Sequence, residues 1–370
     1  MAKKKVEENS NSSFLNSFKK ECEGMEGISL SSPAPNFWLD SGNYCINKVL
    51  SGSYNKGIAS GRLASFVGPS GAGKSFLAGN LIKSALSNKG MEWGVLVIDS
   101  ENALDDDYLL KLGANVVDNP LYHYRGVSTI PQTVNIVSKF IKGYKAANED
   151  MPFVIVLDSV DQLMTDSELA QYDDGEIKGD QGQHSKQVKA MLKRFVADIK
   201  GTNIAMVTIK QVYKEQDKIA AYTNPWVINE SYKFAFSQIG LVTKLLLKDD
   251  KTKIFEGITL KVRGEKTRFC KPYQTARIEV PYEEGMDPYS GILDAAVSLN
   301  VVEKNGGWYT FDGQKFQESK FDNIKEAVYA KVLEKDSEVL NVSIEESEDP
   351  DQGISAKTSE IERKPRVHEE

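Results

Sequence analysis

The segment Gly68-Pro69-Ser70-Gly71-Ala72-Gly73-Lys74-Ser75 limits what this chain can fold into more than any other. It is a complete G-x-x-x-x-G-K-S. The β-forming run Leu63-Ala64-Ser65-Phe66-Val67 precedes it and a helix-length stretch, 74–88, comes after it. A strand that turns through glycines into a helix aims successive backbone N–H groups at phosphate oxygens, and the helix N-terminus adds partial positive charge. Lys74 is then placed to reach the β and γ phosphates of a nucleotide, and the Ser75 hydroxyl to hold Mg²⁺. The bland alternative is a chance glycine-rich turn, which both flanking elements disfavour.

The surrounding texture agrees with such a loop. Short apolar runs at 94–98, 153–157 and 203–209 alternate with helix-length segments at 130–147 and 185–200. Buried runs separated by helices predict βαβ units around a parallel sheet. Segments 241–248, 257–263 and 275–280 predict further strands joined by short turns, hence an antiparallel extension. After Asp294 the pattern predicts a small helical piece ending at the Asn305-Gly306-Gly307 turn. Residues 1–35 read as an arm with one short helix around Phe14, Leu15 and Phe18, used in self-association. The core then spans about 36–297 and a small lobe 298–333. Residues 334–370 hold twelve acids against five bases, which equals the net charge of −7 of the whole chain. With so little apolar content this stretch reads as a disordered acidic tail, acting as an electrostatic competitor for basic surface or as a docking site.

Composition excludes several classes. No window approaches eighteen consecutive apolar residues, so no membrane span is expected, and the charged start lacks the apolar run of a secretory signal. Cys22, Cys45 and Cys270 fit neither a disulfide framework nor a zinc site and suggest a reducing cytoplasm. His123, His184 and His368 are too scattered for a metal cluster.

Two further strands end in acids. Phe153-Val154-Ile155-Val156-Leu157-Asp158 places a carboxylate where it can hold the Mg²⁺ of a bound nucleotide. Val97-Ile98-Asp99-Ser100-Glu101 offers Glu101 as the group that activates the attacking water; a solvated loop acid is the alternative.

The stretch Ile98-Asp99-Ser100-Glu101-Asn102-Ala103-Leu104-Asp105, with Tyr108 and Lys111-Leu112-Gly113 after it, resembles RecA recombinases. The resemblance implies a three-layer α/β ATPase core, with Glu101 as the water-activating glutamate and Asp105 and Tyr108 against the adenine. Val156-Leu157-Asp158-Ser159-Val160 is similar to the family's second acidic strand, and Ile209-Lys210-Gln211-Val212 to the strand whose glutamine senses the γ-phosphate. Gly285-Met286-Asp287-Pro288-Tyr289-Ser290-Gly291, with Asn305-Gly306-Gly307-Trp308-Tyr309, resembles phage strand-exchange proteins of the UvsX type and puts Tyr289 beside the nucleotide. In that frame Lys266 and Arg268, two residues apart on an extended segment, point the same way and imply a clamp on a neighbouring subunit's ATP. A solvated, charge-guarded strand edge is the alternative.

The resemblance also implies two DNA-facing loops. The first, about 161–184, leads into Lys186 and Lys189. The second, about 212–234, carries Tyr213, Lys214, Lys218, Tyr222, Trp226, Tyr232 and Lys233. Lysines interleaved with aromatics suit a surface that tracks a backbone and stacks on bases, though a surface lobe with buried aromatics would show the same composition. The expectation is an ATP- and Mg²⁺-using recombinase that self-associates into a helical filament. It would act on single-stranded DNA and a homologous duplex, in the host cytoplasm if phage-encoded, alongside mediator and single-strand-binding proteins. A ring-forming helicase or DNA motor is the alternative, disfavoured by the short stretch before the core. A nucleotide-sensing regulator is disfavoured by intact Lys74, Glu101 and Asp158.

Overall fold

A computed structural model describes residues 11–23, 34–87, 91–175, 182–216, 225–248 and 255–345. Helix α1 (Asn11–Glu23) lies in the arm. A two-stranded antiparallel pair, β1 (Trp38–Leu39) and β2 (Ile58–Ala59), flanks α2 (Tyr44–Ser51).

Among the described residues the central sheet has eight strands. Strands β3 (Leu63–Gly68), β4 (Gly94–Asp99), β5 (Tyr122–Gly126), β6 (Phe153–Asp158) and β7 (Ile204–Gln211) are mutually parallel. Beyond them, β8 (Tyr213–Lys214) and β9 (Trp226–Val227) form a separate small ribbon. The sheet resumes with β10 (Gln238–Lys248), parallel to β3, then β11 (Phe255–Thr267) and β12 (Thr275–Pro281), both added antiparallel. Spatial order is β12-β11-β10-β3-β7-β6-β4-β5. The parallel core and its antiparallel extension therefore agree with the sequence expectation. Strand β5 has one buried residue in five, so its pattern gave no strand signal.

Strands β3 and β4 are buried along their whole length, and β6 at every residue but its first, because helices cover both faces. On one side α5 (Ile130–Ala146) and α7 (Gln183–Ile199) bring Val137, Ile141, Met191 and Phe195 against Ile98, Ile155 and Leu157. On the other side α3 (Lys74–Ala85) packs across β3, β4, β6 and β7, with α4 (Asp106–Lys111) beside it. Burying a single Leu or Phe in such a core contributes about 1.5–3 kcal/mol.

Two expected loops carry structure. The acidic half of segment 161–184 is helix α6 (Asp166–Asp173), because Thr165 and Glu168 cap it reciprocally: Glu168 N–H donates to Thr165 Oγ1 at 3.2 Å and Thr165 N–H donates to Glu168 Oε2 at 2.6 Å. Segment 212–234 contains the β8–β9 ribbon and a single helical turn, Glu230–Lys233.

The chain splits into two compact units after Gly291. The second unit begins with helix Ile292–Ser298, which packs on helix Lys325–Glu345, and holds a three-stranded sheet, β13 (Glu303–Asn305), β14 (Trp308–Phe311) and β15 (Gln314–Phe316). Asn305-Gly306-Gly307 is thus a hairpin turn, not a helix end. The last helix also runs past the expected boundary at 334. Val328 and Val332, four apart, give it a buried stripe that composition alone does not reveal. Residues 346–370 of the acidic tail lie outside the described residues. Among the described residues no helix is long and apolar enough to cross a membrane.

Candidate nucleotide-binding site

Parallel strands end together, so the residues just past β3, β4, β6 and β7 meet at one edge of the sheet. The β3–α3 turn is backbone-limited. A Cβ at Gly68 would sit 2.2 Å from the Val242 carbonyl oxygen, so only glycine fits. Gly73 has φ +95°, a left-handed conformation that feeds the chain into α3 with its first N–H groups free.

A pocket of about 280 Å³ opens over this turn. It is lined by the loop residues Ser70 to Ser75, by Glu101 past β4, by Tyr108 on α4, by Asp158 at the tip of β6 and by Gln211 at the tip of β7. Phe76 and Ile209 add apolar wall. Lys74 is 7% exposed, and its ammonium donates to the Pro69 carbonyl at 2.8 Å. Burial pulls its pKa down, while Asp158, Glu101 and Asp161 pull the other way.

Asp158 is fully buried, and neither carboxylate oxygen meets a protein hydrogen-bond donor in good geometry. Burial pushes its pKa up to about 6; the Ser75 hydroxyl and Lys74 charge lower it, and Glu101 and Asp99 raise it further. A buried, unpartnered carboxylate beside a serine hydroxyl fits a hydrated divalent cation. Ser75 and Asp158 are thus suited to hold Mg²⁺.

Several residues that sequence reasoning passed over set this geometry. Asp99, 1% exposed, accepts the Glu101 N–H at 2.9 Å and the Leu104 N–H at 3.0 Å, shaping the turn that presents Glu101. The Ser159 hydroxyl donates to Glu101 Oε1. Ser100 Oγ donates to the Ser159 carbonyl at 2.8 Å and accepts the Ser159 N–H at 2.9 Å, tying β4 to β6. The Asp158–Ser159 peptide is cis. Asp161 accepts the Gln211 N–H at 2.7 Å and pairs with Lys210. The acid-serine pairs past each strand were a visible signal; Asp161 was not, because its partners lie fifty residues away.

Other expected site residues lie apart from the pocket. Asp105 does not line it. Its carboxylate accepts the Tyr108 N–H at 2.7 Å and caps α4, so it places Tyr108 instead. Burial, with the Asp158 charge, pushes the Tyr108 phenol up to about 12. Tyr289 packs edge-on against Tyr44, centroids 5.1 Å apart, and its N–H donates to Asp287 Oδ1. Lys266 and Arg268 are likewise outside the pocket of their own chain. The Lys266 ammonium donates to the Lys233 carbonyl at 2.6 Å; burial lowers its pKa, and the charges of Arg268 and Lys233 add to that.

The expected DNA residues separate sharply. Lys186 and Lys189 are exposed on α7, and Tyr213 and Lys214 are exposed on β8. Trp226 is half-buried against the core. Tyr232 contradicts expectation. It is 4% exposed, and its hydroxyl lies 2.9 Å from Ser65 Oγ and 2.6 Å from Thr208 Oγ1, so it is a core residue and cannot stack on a base. Lys233 pairs with Glu230 at 2.8 Å and Glu265 at 3.8 Å. Lys218 and Tyr222 lie outside the described residues.

The family profile of the RecA N-terminal domain matches residues 38–287, most of the chain and all of this pocket. The chain belongs to the RecA family. It is similar to Protein RecA of Thermus aquaticus, 29% identical over 79% of this chain and 84% of the relative. Protein RecA of Rickettsia bellii is 27% identical over 79% and 83%, and that of Bordetella avium 26% identical over 82% and 80%. The three-layer α/β core is thus a RecA-type core.

Proposed function

We propose that this protein is a DNA-dependent ATPase of the UvsX type, which forms helical filaments on single-stranded DNA and catalyses homologous pairing and strand exchange. One observation carries the reading. Lys74, Ser75, Glu101, Asp158 and Gln211 converge on one pocket, while the cations Lys266 and Arg268 stay outside it on the same chain. A pocket with one buried lysine for the polyphosphate charge is incomplete for phosphoryl transfer, and a pair of cations held elsewhere suits completion by a neighbour.

Ser70 to Lys74 would cradle the phosphates of ATP with backbone N–H groups and the Lys74 ammonium. Mg²⁺ at Ser75 and Asp158 would supply charge neutralisation between the phosphates. Glu101 takes the proton of the attacking water, and the Ser159 hydroxyl holds its carboxylate in place. Gln211 faces the same space from β7 and responds to whether a γ-phosphate is present. Tyr213, Lys214, Lys186 and Lys189 are the exposed groups that support contact with single-stranded DNA. The phage setting, with mediator and single-strand-binding partners, rests on the 285–309 resemblance.

Electron microscopy with ATP and single-stranded DNA tests the reading. Open helical filaments on DNA are the expected outcome. Closed rings would support the helicase-like alternative, and monomers on bare DNA would remove the filament.

A further inference from the structure

Strands β6 and β7 pair from Phe153↔Ile204 to Leu157↔Thr208, after which the Val160 N–H donates to the Ile209 carbonyl at 3.1 Å. Beyond that point Gln211 N–H has no β6 carbonyl to meet. Asp161 supplies the acceptor: Oδ2 takes the Gln211 N–H at 2.7 Å while Oδ1 takes the Lys210 ammonium. Both side chains of this ion pair are less than a fifth exposed, so solvent screens the pair weakly.

The contacts continue. The Lys210 ammonium also sits 5.2 Å from the centroid of the Tyr232 ring. The Tyr232 hydroxyl is fixed between Ser65 on β3 and Thr208 on β7. The next residue, Lys233, gives its carbonyl to the Lys266 ammonium at 2.6 Å. A route of two hydrogen-bonded or ionic contacts, one cation–ring approach, one backbone step and a further hydrogen bond therefore runs from the glutamine in the pocket to the cation outside it.

We propose that Asp161 is a positioning residue with two outputs: it fixes Gln211 toward the phosphate end of its own pocket and, through Lys210, Tyr232 and Lys233, holds Lys266 in register for the neighbour's pocket. The proposal rests on the reading that Lys266 and Arg268 act in trans. Its physical content is that a change at the Gln211 backbone must move or strain the Asp161–Lys210 pair, and the charge of Lys210 is shared with the ring that precedes the Lys233 carbonyl.

The test uses the full chain and two preparations. One carries Lys74→Ala, so it offers its clamp but cannot turn over. The other carries Lys266→Ala with Arg268→Ala, so its pocket is intact but it offers no clamp. Mixed on single-stranded DNA with ATP, they should recover hydrolysis at mixed interfaces. Asp161→Asn, nearly isosteric, is then added to one partner at a time, with thermal unfolding followed for each protein. Asp161→Ala repeats the measurement in case Asn re-forms one contact.

The expected result is a fall of about fivefold or more in recovered rate in both placements. A fall only in the pocket-bearing partner overturns the relay to Lys266. A fall only in the clamp-bearing partner overturns the positioning of Gln211, and no fall in either overturns both. No recovery in the parent mixture sinks the trans clamp and the relay with it. In that case Asp161→Asn in the otherwise unaltered protein still judges Gln211: kcat should drop with KM for ATP held within about twofold, and an unchanged kcat overturns the assignment.

Discussion

The nucleotide pocket and segment 212–234 both adjoin Gln211 at the end of β7, yet they are built differently. The pocket is made of strand tips and a turn whose backbone leaves no choice: Gly68 faces a carbonyl, and Asp158 ends a run buried at every residue but its first. The described residues of segment 212–234 carry side chains sorted by tertiary packing. Tyr213 is 71% exposed and Tyr232 is 4% exposed, although both sit among lysines in sequence. Chemistry held by backbone geometry is local, whereas a binding surface depends on which way each ring finally turns.

The largest expected effect lies on the pocket side. Lys74→Ala should lower ATP turnover by about three decades or more, since the phosphates lose the buried cation that meets them. A malachite-green assay with single-stranded DNA present checks this, and turnover near the unaltered level would remove the phosphate loop from the mechanism.

Glu101→Gln should slow hydrolysis by about two to four decades while leaving ATP and DNA binding in place. The comparison sharpens here because Glu101 is held by the Asp99 turn and Ser159, not by packing. Single-turnover rates against fluorescent-nucleotide affinity separate the two effects. A collapse in affinity would make Glu101 a structural residue.

Asp158 gives a smaller effect of unusual sign. Its folded-state pKa of about 6 lies above the ordinary 3.8, so the folded protein holds this proton to higher pH than the unfolded chain. The contribution to stability is therefore full below the unfolded pKa and is lost as pH rises through 6. By linkage the cost at neutral pH is on the order of 2–3 kcal/mol without Mg²⁺. Asp158→Asn should stabilise the metal-free protein at pH 7.5, flatten its stability between pH 4 and 7, and abolish stabilisation by Mg²⁺ with nucleotide. Denaturant titrations in chelator at pH 5 and 7.5 measure it. Destabilisation at pH 7.5 would mean the carboxylate has partners.

Legibility in the sequence obeys the same division. The parallel strands were readable because both faces are covered and the runs are continuously apolar; β5, with one buried residue, was not. Lys74, Ser75, Glu101, Asp158 and Gln211 were readable because each occupies a strand tip or the loop itself. Helix α6 could have been found from Thr165-x-x-Glu168, a cap signature masked by the acidic residues on its C-terminal side. Asp161, Tyr232 and the role of Asp105 were not readable, since each is defined by a partner chosen in three dimensions. The last helix runs on past 334 for a related reason: Val328 and Val332 anchor it ahead of that point, where a charge count starting at 334 does not reach.

The smallest effects test the two tyrosines directly. Tyr213→Ala should weaken binding to single-stranded DNA by about tenfold, the scale of one lost stacking platform, with no change in unfolding. Tyr232→Phe keeps the ring under Lys210 and removes only the hydroxyl. Thr208 Oγ1 still donates to Ser65 Oγ at 3.1 Å, so the two buried hydroxyls retain each other and the cost should be about 1 kcal/mol of stability. DNA affinity should stay unchanged in that variant. Fluorescence anisotropy on a short oligonucleotide, paired with urea unfolding of both proteins, reads the two quantities independently. If Tyr232→Phe weakened DNA binding as much as Tyr213→Ala while its unfolding midpoint stayed fixed, the buried hydroxyl would be acting on the DNA surface. The contrast between a packed ring and an exposed one would then no longer separate core from interface in this segment.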